Sequence, residues 1–252
     1  MVARLLACFS FLCAASFGVL DAATLHAIYV ADVQDAQIGV STKADVDHLS
    51  AQINTVKDLV GLKLNQVLLS GPQFKIDTVL NYIDALQVAP DDVVLFYYSG
   101  HGYRTDVKDS KWPALFFSWE EGLDLKTVTS HLQAKKARFV FVMADCCNNV
   151  LARDGAPSYR ALRKDNMNAR MVENYKALFL KTKGVLTLAS AGVGEYAYCS
   201  DQGGYFTTAF LQSLNHGVLY ADQARWDHII DVAAWSLRDL QHPIYEYTPA
   251  LR

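Results

Sequence analysis

Two short stretches of the chain hold side chains suited to nucleophilic chemistry: Ser99-Gly100-His101-Gly102, and Ala144-Asp145-Cys146-Cys147-Asn148-Asn149. In such chemistry a thiolate attacks a carbonyl carbon, and an imidazole titrating near neutrality takes the thiol proton and passes it to the leaving amine. Backbone N–H groups at Gly102 and Cys147 are candidates for holding the developing oxyanion, and the glycines flanking His101 let a ligand approach the main chain closely. Taken singly, a strand-end histidine is usually structural and a cysteine usually packs a core. The pair points to a site because both members occupy equivalent places in the elements that carry them.

Those elements are strands of a mainly parallel sheet. Near-continuous apolar runs at 25–30, 64–69, 93–98, 139–143 and 185–189 suit strands buried on both faces. Between them, Val46, Leu49, Ile53, Val56 and Val60 recur at helical spacing, as do Ile76, Val79, Leu80, Ile83 and Leu86. Further helices are predicted at 125–132, 206–214 and 226–240. The alternation predicts an α/β fold with helices on both faces of the sheet. In such folds ligands bind beyond the carboxyl ends of the strands, which is where His101 follows the third run and Cys147 the fourth.

The 252 residues are 52% hydrophobic, enough apolar material for a large core and against wholesale disorder. A net charge of −3 gives no global basic field, so nucleic acid is not an expected partner. The charge is uneven: residues 151–183 carry eight basic and three acidic side chains, and the part from 153 to 169 lacks periodicity and reads as a long exposed loop. At the other end, Arg4 precedes 16 apolar or small residues, a run short for a spanning helix and suited to a secretory leader over 1–23. Export to a secreted or periplasmic location is expected, with an uncleaved N-terminal membrane anchor as the alternative. Removal of the leader leaves Cys146, Cys147 and Cys199, an odd number that cannot be fully paired within one molecule.

Other patterns carry less. Gly192-Val193-Gly194-Glu195-Tyr196-Ala197 fits a dinucleotide fingerprint and follows a strand, yet the chain continues as loop where a phosphate-binding helix should begin. No ligand pair for zinc stands at a recognised spacing, and no metal site is predicted. The Gly-x-Ser-x-Gly elbow of serine hydrolases is missing from the sequence.

Tyr98-Ser99-Gly100-His101-Gly102 followed by Asp145-Cys146-Cys147 resembles the caspase-like cysteine peptidases, specifically the metacaspase and orthocaspase branch, where Ser-Gly-His-Gly precedes Asp-x-Cys. Ala44-Asp45, Ala189-Ser190-Ala191 and the stretch from Gly203 to Thr207 add to the likeness, which spans roughly residues 24–215. The resemblance implies a caspase-like three-layer sandwich with a six-stranded sheet over 24–252, Cys147 as nucleophile, and His101 as its partner. It also implies that Asp145 and Asp45 form an acidic S1 pocket for Arg or Lys at P1 of a peptide or protein substrate. Cys146 should face away and pack. The basic loop at about 151–170, with Arg160, Arg163, Lys164 and Arg170, would offer sites for self-processing. A monomer is implied, although the segment 244–247 reads as exposed and able to pair. No cofactor is required on this reading. Calcium is an activator of many relatives, with Asp154, Glu120 and Glu121 as candidate ligands. One departure stands out: Asn148-Asn149 replaces the small pair ending in glycine that usually follows the nucleophile. Two rivals remain, a catalytically silent caspase-fold module that binds a partner protein or peptide, and a cysteine hydrolase acting on a non-peptide amide.

Overall fold

The computed structural model describes residues 22–149 and 169–250. The N-terminal leader, Asp154, and the loop residues Arg160, Arg163 and Lys164 lie outside the described residues.

Five parallel strands form the centre: β1 (Thr24–Ala31), β2 (Lys63–Leu69), β3 (Val93–Ser99), β7 (Phe139–Asp145) and β8 (Gly184–Ala189). A sixth, β11 (Ile244–Pro249), joins antiparallel to β8, and the order across the sheet is β11-β8-β7-β3-β1-β2. The segment 244–247 therefore pairs within its own chain. β3 and β7 lie at the centre and are buried along their whole length, which is why their sequences show no polar alternation. The edge strand β2 exposes Lys63, Asn65 and Gln66.

Helices α1 (Gly39–Val60), α4 (Ala169–Lys176), α5 (Tyr205–Tyr220) and α6 (Trp226–Leu237) contribute to the core on one face. α2 (Ile76–Ala85) and α3 (Leu125–Ala134) contribute to the core on the other. Strand side chains alternate between the two cores: Phe139, Phe141 and Met143 of β7 enter the first, and Val140, Val142 and Ala144 enter the second. The six-stranded three-layer fold expected from the sequence is thus present. α1 ends at Gly61, whose φ of 76° lets its N–H close on the Lys57 carbonyl at 3.0 Å.

The structure adds elements that periodicity missed. β4 (Gly102–Tyr103), β5 (Ala114–Phe116) and β6 (Gly122–Asp124) make a small antiparallel sheet after His101. β9 (Cys199–Ser200) pairs with β10 (Gly203–Gly204) ahead of α5. α4 begins at Ala169 and continues as a π-helical turn, Ala177–Lys181. Arg170, expected in the loop, is therefore helical, in a helix that buries Met171, Asn174 and Tyr175. The Asn174 side chain receives the Ala224 N–H and donates to the Val218 and Ala221 carbonyls, tying α4 to the end of α5.

Candidate active site

The parallel register sets the site. β3 and β7 pair with Ser99 opposite Asp145, so two residues further along each chain His101 and Cys147 leave the sheet at the same level. The strand ends stay in contact, with the Gly100 N–H 3.4 Å from the Asp145 carbonyl. Gly102 then packs directly on the second strand's continuation, where a Cβ would overlap the Cys147 carbonyl and the Cys146 side chain. Only glycine permits that approach. The His101 main chain is fixed by its carbonyl, which accepts the Tyr98 hydroxyl at 2.7 Å and the Phe116 N–H at 3.0 Å, while its ring meets the Phe116 ring edge-on at 6.1 Å.

The vicinal cysteines divide as the pleat requires. Cys146 is 2% exposed and lies in the second core, whereas Cys147 is half-buried at the sheet edge. Burial pushes the Cys147 thiol upward, the Asp145 charge adds to this, and the Ala197 N–H, 3.4 Å from Sγ, opposes it. A thiol raised in this way needs a base to become a nucleophile. Cys199, also half-buried, is raised by burial too.

Asn148 accounts for the turn after Cys147. Asn148 is fully buried; its N–H donates to the Glu195 carbonyl at 2.9 Å and its carbonyl accepts the Gly194 N–H at 3.0 Å. Its side-chain amide reaches the Lys111 and Ala191 carbonyls. Glu195 in turn binds the Gly192 N–H and, through its other oxygen, His242 at 2.7 Å. The glycine-containing fingerprint at 192–197 is thus a brace for the cysteine turn, with no helix behind it for a phosphate.

Asp45 and Asp145 are brought together on the same face as Cys147, 1% and 6% exposed. Asp45 accepts the Ser99 hydroxyl and the Gly204 N–H, each at 2.8 Å. Asp145 accepts the Thr207 N–H at 2.9 Å and the Thr207 hydroxyl at 2.7 Å, at the first turn of α5. Burial raises both carboxyl groups, and the charge of Asp145 raises Asp45 further. Every donor here is neutral, so burial and mutual repulsion disfavour ionising both carboxyls at once.

Two acids that sequence reasoning passed over sit on the loop between β1 and α1. Asp35 places Oδ2 3.3 Å from Nε2 of His101. Asp32 also feels the imidazole charge, and burial together with the charge of Asp35 raises its carboxyl. The loop follows a strand at the same carboxyl edge as His101 and Cys147, and that position was the available signal. Glu120 and Glu121, by contrast, are exposed between β5 and β6. Among the described residues no group of three or more His, Cys, Asp or Glu is assembled that could hold a metal ion.

A parallel α/β sheet that presents a histidine and a cysteine side by side beyond adjacent strand ends has the architecture of a caspase-fold peptidase. The caspase domain family model matches residues 67–225, and the chain belongs to that family of cysteine peptidases. Among solved structures, caspase-1 from Spodoptera frugiperda is similar at 13% identity with a TM-score of 0.56, over 89% of this chain and 86% of that one. This likeness establishes the fold. No curated protein matches the sequence.

Proposed function

We propose that the protein is a cysteine endopeptidase of metacaspase type that cuts after Arg or Lys, with Cys147 as nucleophile and His101 as its acid–base partner. The observation that carries this is the level placement of His101 and Cys147, joined through the Gly102 contact, beside a buried acid pair on the same face. His101 takes the thiol proton, the thiolate adds to the scissile carbonyl, and the oxyanion forms near the Gly102 and Cys147 N–H groups. Collapse expels the amine, which receives the proton from His101. Water, deprotonated by the same imidazole, then releases the acyl group from sulfur.

The basic preference follows from the acids. A guanidinium or ammonium reaching Asp145 and Asp45 would supply the cation that the pair lacks and favour ionisation of both carboxyls, whereas an acidic side chain would add a third like charge. Self-processing, on this reading, uses Arg160, Arg163 or Lys164, because Arg170 is held in α4 and a protease needs an extended substrate. We further propose that residues 1–23 act as an export leader, that the enzyme works as a monomer, and that its chemistry requires no cofactor.

Hydrolysis of fluorogenic peptides with Arg, Lys, Asp or Ala at P1, under reducing conditions and with or without calcium, tests the reading. Cleavage after Arg or Lys should survive Cys146→Ala and vanish in Cys147→Ala. Folded protein that cleaves none of them would shift the assignment to a silent module that captures basic peptides in the same pocket.

A further inference from the structure

We infer that Asp35 is a positioning residue for His101, completing a Cys147–His101–Asp35 relay; the catalytic part of this rests on the function proposed above. The geometry is specific about which atom faces which. Oδ1 of Asp35 accepts the Gln37 N–H at 2.7 Å and the Ile38 N–H at 2.8 Å. With that oxygen engaged at the entry to α1, Oδ2 is the one turned to Nε2 of His101. The loop is pinned at both ends: the Asp32 N–H donates to the Ser99 carbonyl at 3.2 Å, the Thr42 hydroxyl donates to the Asp32 carbonyl at 3.0 Å, and the Gly39 N–H donates to the Asp35 carbonyl at 3.0 Å.

An ionised carboxylate only accepts hydrogen bonds. Nε2 then carries the proton when the ring is neutral, and Nδ1 is left bare for the proton of the Cys147 thiol, which here donates to the Ala197 carbonyl at 3.6 Å. Once that proton arrives, Asp35 faces an imidazolium and stabilises the charge. Burial alone would raise the Asp35 carboxyl, but the Ile38 and Gln37 N–H groups and the charge of His101 outweigh it and hold it below the ordinary range. Asp32 on the same loop also feels the imidazole charge, and Cys147 leaves the adjacent strand end at the level of His101.

A purely structural role would make Asp35 no more than a cap for the start of α1. Asp35→Asn separates the two, because the amide oxygen still accepts the Gln37 and Ile38 N–H groups while the amide nitrogen now donates to Nε2. The relay predicts a loss in kcat of about 100-fold or more with KM within about twofold, by analogy with carboxylate-to-amide changes in other triads. Asp35→Glu, which restores the charge on a longer arm, should recover part of it. Independently of turnover, 15N imidazole spectra of histidine-labelled protein, assigned through His101→Gln, should show the Nε2–H tautomer in the parent and Nδ1–H in Asp35→Asn. An unchanged tautomer, or a kcat within about twofold of the parent, overturns the inference. If the parent cleaves no peptide, the tautomer switch alone decides, so the positioning role and the peptidase reading can fail separately.

Discussion

The carboxyl edge of the sheet carries two carboxylate pairs, and the fold treats Asp35 of one in the opposite way to Asp45 and Asp145 of the other. Asp45 and Asp145 are sunk in the interior and bound by neutral donors, among them Ser99, Gly204 and Thr207. Asp32 and Asp35 sit at the rim, where Asp35 has an imidazole to face and backbone amides to hold it charged. The interior pair is an electrostatic deficit that an incoming cation would fill. At the rim Asp35 is already supplied, while Asp32 is raised by burial and by its neighbour. On the proposed function the contrast would give recognition to the first and proton management to Asp35 of the second, and it can be attacked from either side.

The largest effect should come from Asp145→Asn, which keeps an oxygen for Thr207 but removes the charge. Hydrolysis after Arg should fall by about 100-fold or more in kcat/KM, as when one partner of a buried charge pair is lost. Undiminished cleavage after Arg would show that the interior acids only hold the fold. Gly102→Ala should follow, because its Cβ meets the Cys147 carbonyl; overpacking of this kind costs about 2 kcal/mol, and turnover should drop with it while the rim pair is untouched. Urea unfolding will report both, with kinetics alongside.

Unfolding across pH separates Asp35 from the interior pair by sign. Asp45 and Asp145 are raised in the folded state, so they subtract stability as pH climbs above the ordinary carboxylate value of about 4 toward their folded values. Asp35 is lowered, so its contribution is complete above that value and is lost as pH falls through its folded value. Asp45→Asn should flatten the decline on the alkaline side, and Asp35→Asn the decline on the acid side. Equal slopes in both variants would erase the distinction between interior and rim. The smallest effect is expected for Cys146→Ala, a loss of about 1 kcal/mol from deleting a buried sulfur with turnover unchanged.

Much of this was legible in the sequence, for a definable reason. Strands buried on both faces leave unbroken apolar runs, and helices such as α2 leave a stripe, so the layers and the strand ends could be placed. His101 and Cys147 followed from those ends. What could not be read is what depends on distant chain meeting across a turn. Asp35 lies in a polar stretch between β1 and α1 that looks like any solvated turn, and only folding brings it to His101. The same holds for Asn148, whose partners Lys111, Ala191 and Glu195 are remote in sequence. α4 escaped notice because three of its eight residues are charged, and Asn174, one of the buried ones, is there for hydrogen bonds.

The alternation of β7 between two cores bears on how the gene tolerates change. Adjacent cysteines look like insurance, as though a one-codon insertion in β7 would move Cys146 into the place of Cys147. The same shift would carry Asp145 to the level now held by Cys146 and turn its carboxylate into an apolar core, away from Thr207 and Asp45. A spare thiol would arrive at the edge with the Asp145 carboxylate buried on the wrong side. The second cysteine therefore cannot stand in for the first after such a shift, and the length of this strand is tied to the acid as much as to the thiol.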